Sequence, residues 1–326
     1  MKRLIYVIES KSWVQFQRAK FLSRELKDID IKIIEVKKFL ILWRIGFFRR
    51  EKIFFSSWRI IHGILKKNNN FFRQNQYKNF SAAVTSHSNI GGGLNPEIAT
   101  GSREPSEAFL IAIDILSRFR NVSVNSIILW NLLNEKITNL YYCPNGVDEN
   151  FFYPIEDKKF NAEDITIGWT GKNRAAKNLN LIRDIEDSFS DNKFFTFKII
   201  EVDKKLQFKK DKSEMFHFYN ELDFYLNVSW NEGTPNPALE AAAAGVPIIT
   251  TRVGNMPELI KHRENGFFIE PNLVSLSEQL KALTDITEEQ YEKMSRKIRS
   301  DILKNWTWEI RIENFKSFLN EVINQK

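Results

Sequence analysis

Short apolar runs alternate with segments of helical periodicity along most of this chain. Runs rich in β-branched and aromatic residues predict strands over residues 4–8, 31–36, 53–56, 82–86, 122–124, 165–169, 196–200 and 224–228. Apolar positions at helical spacing predict helices over residues 15–26, 58–66, 105–119, 126–133, 179–189, 214–220 and 308–323. Strands and helices in alternation form parallel sheets covered by helices, so the pattern predicts an α/β fold.

A cluster of turn residues interrupts this alternation near the middle of the chain. Pro144, Asn145 and Gly146 lie between two arrays of strands and helices. A chain of 326 residues is long enough for two domains. We therefore predict one domain over residues 1–148 and a second over residues 149–304.

A helix is predicted to begin within the segment over residues 229–254. Asn236 suits the N-cap position and Pro237 the first helical position. Gly245 is expected to end this helix in the left-handed conformation, and residues 246–251 are expected to form a buried strand. The start of a helix favours an anionic ligand. An alanine-rich helix of this kind would also pack closely on a sheet in an α/β protein that binds no ligand.

The same segment carries a family resemblance. Glu232 and Glu240 are followed by Gly245-Val246-Pro247, by Gly254 with Pro257-Glu258, and by Gly266-Phe267-Phe268. Together these residues resemble the signature of the retaining GT-B glycosyltransferases of the family 4 type. The resemblance implies two Rossmann-like domains whose parallel sheets face a central cleft, and a C-terminal helix over residues 305–326 that packs back on the first domain. It also implies transfer of a sugar from a nucleoside-diphosphate donor to a hydroxyl acceptor, with retention at the anomeric carbon.

The resemblance assigns different roles to the two glutamates. Glu240 would bind the ribose hydroxyls of the nucleotide, and Glu232 would lie near the donor sugar. Backbone amides around Gly233, Thr234 and Asn236 would help to hold the diphosphate.

A cationic motif follows the strand predicted over residues 165–169. Relatives have Gly-Arg, a Lys five residues after the Arg, and usually a Gly next; here the matching residues are Gly171, Lys172, Lys177 and Asn178. A leaving diphosphate gathers negative charge, which a metal-independent enzyme must neutralise with cations. The resemblance thus assigns Lys172 and Lys177 to catalysis, and Gly171 and Arg174 to the donor site. Loop lysines surrounded by water are the alternative interpretation.

His87 is a candidate from the first domain. It follows the strand predicted over residues 82–86, where many relatives carry a histidine that faces the donor sugar. The resemblance places it in the catalytic site, although a lone histidine is more often structural. The glycine-rich loop that many relatives have after the first strand is absent, since residues 9–13 read Glu-Ser-Lys-Ser-Trp.

No metal site is predicted. Metal-dependent transferases commonly use an Asp-x-Asp pair, and here that spacing occurs at Asp28-Ile29-Asp30. This tripeptide precedes a predicted strand, which is the wrong end for a substrate site, so we interpret it as a turn. We expect no cofactor, and a UDP- or GDP-sugar as the donor.

The distribution of charge indicates a partner for the first domain. Residues 1–150 contain 23 basic and 13 acidic residues, and residues 37–73 contain 10 basic residues with one acid. Bulky aromatic residues interleave with these cations, a composition that suits the interface of an anionic bilayer. A solvated basic surface over a phenylalanine-rich core is the alternative. No nucleic-acid-binding motif is present, so we predict no nucleic-acid partner.

Other features favour a cytoplasmic protein, with peripheral contact at the inner face of the cytoplasmic membrane. No signal peptide is predicted, because the first apolar run ends at Glu9. The longest apolar run, over residues 39–48, contains Arg44 and is far shorter than the roughly 18 residues of a membrane span. The single cysteine, Cys143, lies in an apolar run and is expected to be a buried, unreactive thiol.

Two other function classes remain open from sequence. A catalytically silent relative would bind nucleotide-sugar or glycan without transfer, and a nucleic-acid-binding protein would use the basic segment as its main site. A glycoside hydrolase is disfavoured because its two carboxylates must flank one bond, whereas Glu232 and Glu240 adjoin a predicted diphosphate site.

Overall fold

The computed structural model describes residues 2–10, 14–86, 107–155, 158–202 and 212–324. The described residues form two compact units. One contains residues up to Asn145 together with the chain from Arg311 onward, and the other contains residues from Gly146 to Ile310.

The first unit is built on a parallel sheet of six strands in the order β2-β1-β3-β4-β5-β6. Its strands are β1 (Lys2–Ile8), β2 (Ile29–Glu35), β3 (Lys52–Phe55), β4 (Phe80–Val84), β5 (Asn121–Val124) and β6 (Leu140–Tyr142). Its described helices are α1 (Val14–Glu25), α2 (Val36–Arg44), α3 (Trp58–Lys67), α4 (Glu107–Ser117) and α5 (Ile127–Leu133), with a 3-10 helix over Gln74–Asn79. The inner strands β1, β3, β4 and β5 are mostly buried, as expected of a parallel sheet with helices on its faces, whereas the edge strands β2 and β6 are only partly buried.

Aromatic residues dominate the core of this unit. The Phe55 ring makes edge-to-face contacts with Phe39 at 5.5 Å and with Phe80 at 5.5 Å between ring centroids. Trp43 packs in the same way on Phe72 at 5.3 Å and on Phe80 at 5.6 Å. Most of the aromatic residues between positions 37 and 73 are therefore core residues rather than a surface.

The C-terminal helix completes the first unit. Phe318 packs on Phe54 and on Tyr141, each with a centroid distance of 5.3 Å. Phe315 lies under the Arg18 guanidinium at 5.6 Å. Cys143 is buried, as predicted, and burial raises the pKa of its thiol, which disfavours the reactive thiolate.

The second unit contains a parallel sheet of five strands in the order β11-β10-β9-β7-β8. Its strands are β7 (Ile165–Lys172), β8 (Phe195–Val202), β9 (Phe224–Asn227), β10 (Ile248–Thr250) and β11 (Gly266–Phe268). Its helices are α6 (Leu179–Ser188), α7 (Lys212–Asn220), α8 (Asn236–Ala243), α9 (Met256–Leu259), α10 (Leu273–Leu283) and α11 (Glu288–Asn305). The last helix, α12 (Trp308–Asn324), begins in this unit and continues into the first.

The strands and helices predicted from the sequence are confirmed, with boundaries that shift by a few residues. The structure adds elements that were not predicted: α2, β6, β11, α9, α10, α11 and the 3-10 helix. The interpretation of Asp28-Ile29-Asp30 as a turn is wrong in part, because Ile29 and Asp30 are the first residues of β2. The Asp30 carboxylate accepts a hydrogen bond from Arg3 Nε on the neighbouring strand at 2.8 Å.

Gly146 allows a close backbone approach at the start of the second unit. Val147 N donates to Trp306 O at 2.9 Å, and Trp308 N donates to Val147 O at 3.2 Å. A Cβ atom on Gly146 would lie 2.6 Å from both the Cα and the N of Trp308. Position 146 therefore requires glycine. The atoms that a side chain would meet belong to the Trp308 backbone, which cannot move aside by changing a rotamer as a side chain can.

We expect Gly146→Ala to lower the free energy of unfolding by about 1–3 kcal/mol, the usual cost of overpacking. The matched control is Gly63→Ala on the exposed face of α3, where an added Cβ meets nothing within 4 Å. That change should raise stability by about 1 kcal/mol, because alanine is the better helix former. Denaturant unfolding measures both variants, and equal stability of the two would contradict the steric argument.

Candidate functional site

The sheet of the second unit has a topological switch point between β7 and β9. From β7 the chain continues outward to β8, whereas β9 is followed on its other side by β10 and β11. Ligands of open α/β sheets bind beyond the carboxyl ends of the strands at such a point. The loops that begin after Lys172 and after Asn227 flank it.

An ion pair joins these two loops. Lys177 Nζ lies 2.5 Å from Glu232 Oε1, and both side chains are mostly buried, at 21% and 12% exposed. Ser229 Oγ donates a second hydrogen bond to the same carboxylate oxygen at 2.8 Å. The backbone also links the loops, since Trp230 N donates to Ala176 O at 2.9 Å. The structure thus places two predicted site residues, Lys177 and Glu232, in direct contact.

The loop after β7 holds the other predicted cations. Lys172 is the last residue of β7 and is partly buried, and Arg174 is exposed two residues later. A Cβ atom on Gly171 would lie 2.9 Å from Cζ2 of the Trp169 indole, so this position favours glycine. A short 3-10 turn over Ala175–Lys177 then brings Lys177 toward the loop after β9.

Asn178 has a left-handed backbone, with φ 53° and ψ 44°. Glycine, usual here in relatives, reaches this conformation without steric cost, and asparagine is among the few other residues that adopt it readily. Asn178, where the family pattern has glycine, therefore preserves the left-handed backbone conformation of this position.

The loop after β10 packs on the loop after β9, which contains Glu232. Thr251 Oγ1 donates to Ser229 O at 2.6 Å. Gly254 has φ +55°, and a Cβ atom there would lie 2.3 Å from Gly233 O and 3.1 Å from Glu232 Cβ. Gly254 thus allows the loops after β9 and β10 to pack directly on each other, which limits the positions that the Glu232 side chain can take.

Helix α8 begins one residue earlier than predicted. Pro235 is the N-cap and Asn236 is the first helical residue, so the prediction of Asn236 as N-cap and Pro237 as first helical residue is wrong by one position. No side chain caps the helix; the N–H groups of Ala238 and Leu239 both donate to Pro235 O. Since Pro237 has no N–H, the amides that can face an anion at this helix start come from the loop that includes Gly233 and Thr234, and from Asn236.

The end of α8 is confirmed as predicted. Gly245 has φ +76° and donates its N–H to Ala242 O at 3.1 Å, and Val246 N donates to Ala241 O at 3.0 Å. This pair of bonds is a Schellman motif, which returns the chain directly into the sheet.

Glu240 lies in the second turn of α8 and is partly buried. Tyr219 on α7 donates its hydroxyl to Glu240 Oε2 at 2.7 Å. Burial raises the pKa of Glu240 from 4.5 to about 7, while the Tyr219 hydrogen bond and the charge of Lys212 act in the opposite direction. Glu240 therefore changes its charge near neutral pH.

His87 lies outside the described residues. The other predicted site residues lie at the carboxyl edge of the second sheet. They belong to the end of β7 (Gly171, Lys172), to the loops after β7 and β9 (Arg174, Lys177, Glu232, Gly233, Thr234) and to the first two turns of α8 (Asn236, Glu240).

Sequence reasoning missed four residues that shape the site. Ser229 and Thr251 each follow a buried strand, where a hydroxyl is a recognisable signal. Tyr219 carries no such signal, since its position opposite Glu240 depends on how α7 packs on α8. Asn255, directly after Gly254, is fully buried, and neither polar atom of its side chain has a hydrogen-bond partner in the protein. A buried amide whose oxygen and nitrogen both lack a partner marks a position where a ligand could bind.

The described residues contain neither a metal-ligand cluster nor a membrane-spanning helix. No three His, Cys, Asp or Glu side chains among them come together as a metal site requires. Within the same ranges, no helix combines the length and the apolar character needed to cross a bilayer.

Comparison with known proteins identifies relatives of the second unit. Residues 190–285 match the family model for glycosyl transferases group 1. The chain is 31% identical over 115 residues to spore coat protein SA of Bacillus subtilis, a match that covers 34% of this chain and 30% of that protein. The matched segments thus span about a third of the length of such curated relatives.

Solved structures share the architecture of the whole chain. Sucrose-phosphate synthase from Thermosynechococcus elongatus superposes with a TM-score of 0.73 at 13% identity, covering 100% of both chains. Anabaena HepE, in complex with UDP and glucose, has a TM-score of 0.66 at 11% identity, covering 98% of this chain and 100% of that one. At these identities the likeness establishes the fold alone. That fold is GT-B, and residues 190–285 within it are similar to the glycosyl transferases of group 1.

Proposed function

We propose that this protein is a retaining glycosyltransferase that moves a sugar from a nucleoside-diphosphate donor to a hydroxyl group of a glycan or lipid-linked acceptor. The Lys177–Glu232 pair carries the proposal. It holds a cation at the switch point of the sheet, where the diphosphate of a donor would lie, and a carboxylate beside it, where the sugar would lie.

The donor would bind along the loops after β7 and β9. Lys172 and Lys177 would neutralise the diphosphate, with Gly171 and Arg174 alongside and the amides of Gly233, Thr234 and Asn236 as hydrogen-bond donors. Glu240 would accept hydrogen bonds from the ribose hydroxyls. The structural relative that was solved with UDP and glucose supports a UDP-sugar donor, and a GDP-sugar is the second choice.

The chemistry proposed is front-side displacement at the anomeric carbon. The bond from that carbon to the phosphate oxygen breaks, and its electron pair stays on the phosphate. The acceptor oxygen forms the new bond on the same face, and the acceptor proton passes to the departing phosphate. Lys172 and Lys177 would stabilise the charge that develops on the leaving group, without a metal ion. Glu232 would hold a sugar hydroxyl or stabilise positive charge at the anomeric carbon.

The acceptor would belong to surface-glycan or lipid-linked saccharide synthesis on the cytoplasmic side of a membrane. The basic segment over residues 37–73 supports this assignment, because it suits contact with an anionic membrane surface.

A panel of UDP-, GDP-, ADP- and CMP-sugars tests the proposal by thermal shift. A ligand that binds only the folded protein stabilises it by about 2.7 kcal/mol at a concentration about 100 times its Kd. We expect a UDP- or GDP-sugar to raise the melting temperature and the others to have little effect. No shift with any donor would contradict the proposal, and binding without transfer to any acceptor would indicate a catalytically silent relative instead.

The variants Lys177→Ala and Glu232→Gln separate the two members of the ion pair. Lys177→Ala should weaken donor binding and lower turnover by about a hundredfold or more, because it removes a cation from the leaving group. Glu232→Gln should lower turnover as strongly but leave donor affinity unchanged or higher, since Lys177 is then free to pair with the diphosphate. Calorimetry and initial rates measure the two effects.

The matched control for Lys177→Ala is Lys158→Ala. Lys158 forms a partly buried ion pair with Asp223 at 3.2 Å, at the amino end of β9 and therefore at the opposite edge of the sheet. This change should reduce stability and leave donor affinity unaltered. If both lysine variants lost stability alone, Lys177 would be a structural residue.

The raised pKa of Glu240 predicts opposite pH effects on binding and on stability. Affinity for a UDP-sugar should increase as pH rises through about 7, because the ionised carboxylate is the better acceptor for ribose hydroxyls. The ligand-free protein should become less stable over the rise from pH 4.5 to about 7, because the unfolded chain releases this proton first. Calorimetry and denaturant unfolding across this range measure the two trends.

Glu240→Gln is the control for both trends, since its side chain keeps the shape but cannot titrate. The wild-type minus variant difference isolates Glu240 from the other groups that titrate in this pH range. Burial raises the pKa values of the neighbouring Tyr219 and Tyr225 far above it, so these tyrosines do not contribute. Identical pH profiles for the two proteins would remove the ribose assignment.

A further inference from the structure

Helix α2 of the first unit has apolar residues on each of two opposite faces. Phe39 and Trp43, at 0% and 4% exposed, form part of the core. Ile41 and Ile45 lie one turn apart on the other face and are 64% and 68% exposed. A solvated helix face normally carries polar residues, so two neighbouring exposed isoleucines depart from the usual pattern.

The turn after α2 fixes a third exposed apolar residue beside them. Gly46, with φ +95°, donates its N–H to Trp43 O at 3.1 Å, and Phe47 N donates to Leu42 O at 3.0 Å. These bonds form a Schellman motif. The next residue, Phe48, stacks on Phe39 at 6.2 Å between ring centroids and ties the turn to the core. Phe47 itself is 55% exposed.

Cations surround these three residues. The exposed positions nearby include Lys37, Lys38, Arg44, Arg49 and Arg50, and no acidic residue occurs over residues 36–50. Arg44 lies over the Phe71 ring at 5.8 Å, which holds its charge close to the surface of the unit.

A second exposed apolar pair in the same unit shows the contrast. Leu110 and Ile111 on α4 are 54% and 41% exposed. Their neighbours one turn away on the helix are acidic, Glu107 and Asp114. Exposed apolar residues alone therefore do not distinguish the α2 surface. Their combination with five exposed cations, and with no acidic residue over residues 36–50, does.

We propose that Ile41, Ile45 and Phe47, with the surrounding lysines and arginines, form a docking surface for an anionic lipid bilayer, here termed the α2 face. Apolar side chains can enter the acyl boundary while the cations pair with anionic headgroups. Nucleic acid would use the charges but has no counterpart for three projecting apolar side chains. With only three such residues, binding should be reversible and salt-sensitive. The proposal does not rest on the proposed transfer reaction.

Co-sedimentation with vesicles tests the α2 face in the full chain without donor or acceptor. The wild-type protein should bind vesicles of phosphatidylcholine mixed with phosphatidylglycerol, bind vesicles of phosphatidylcholine alone much more weakly, and dissociate at high salt. The double variants Ile45→Ser/Phe47→Ser and Arg49→Glu/Arg50→Glu should each lower the partition coefficient by about tenfold or more, through the apolar and the electrostatic contribution respectively.

Leu110→Ser is the matched control, because it removes an apolar residue of similar exposure from the acidic surface of α4; it should bind like the wild type. Unchanged thermal unfolding and unchanged UDP-sugar affinity in the double variants would show that they are folded and that the donor site is unaffected. Absence of binding at low salt, equal binding to both kinds of vesicle, or wild-type binding by the double variants would overturn the proposal. So would self-association that depends on Phe47 in a protein that does not bind vesicles.

Discussion

The ion pair between Lys177 and Glu232 is the constraint on which the site of the second unit depends. The Glu232 carboxylate holds the Lys177 ammonium in place across the switch point of the sheet, although the two residues belong to different loops. Removing two charges from water is costly unless further hydrogen bonds stabilise them, and Ser229 supplies one to the carboxylate. A bound diphosphate would compete with Glu232 for the same ammonium group, so donor binding and the position of Glu232 would be coupled.

Small residues make this arrangement possible. Gly254 lets the loop after β10 touch Gly233, and Gly171 leaves room for the indole of Trp169. The loop after β9 is therefore held between two neighbours, and its carboxylate is fixed by backbone contacts as well as by its ion pair. A carboxylate fixed in this way would stabilise positive charge at a nearby atom without the cost of reorganisation.

Periodicity predicted most of the fold, and the family resemblance assigned Lys177 and Glu232 to one site. Their direct contact could not be predicted, because it depends on the strand order. That order places β9 directly beside β7, so the loops after these two strands are neighbours. The pairing of Tyr219 with Glu240 depends in the same way on how α7 packs. Composition misled most at residues 37–73: the aromatic residues that suggested a surface largely form the core, and the exposed apolar residues are mainly isoleucines. The number of aromatic residues in a segment does not reveal which of them face the core and which face solvent.

The environments of the two glutamates give a physical basis for their different proposed roles. Glu232 accepts hydrogen bonds from an ammonium and a hydroxyl of the loops after β7 and β9. Glu240 faces α7, with a tyrosine hydroxyl as its hydrogen-bond partner, and burial holds its pKa near 7. Carboxylates with different surroundings can serve different functions within one site. A carboxylate held beside the site would suit a sugar that gains positive charge, whereas Glu240 on α8 would accept hydrogen bonds from the ribose hydroxyls in its ionised form. Glu232 and Glu240 are eight positions apart in the sequence, but the difference in their surroundings arises from Lys177 and Tyr219, which the fold brings from elsewhere in the chain.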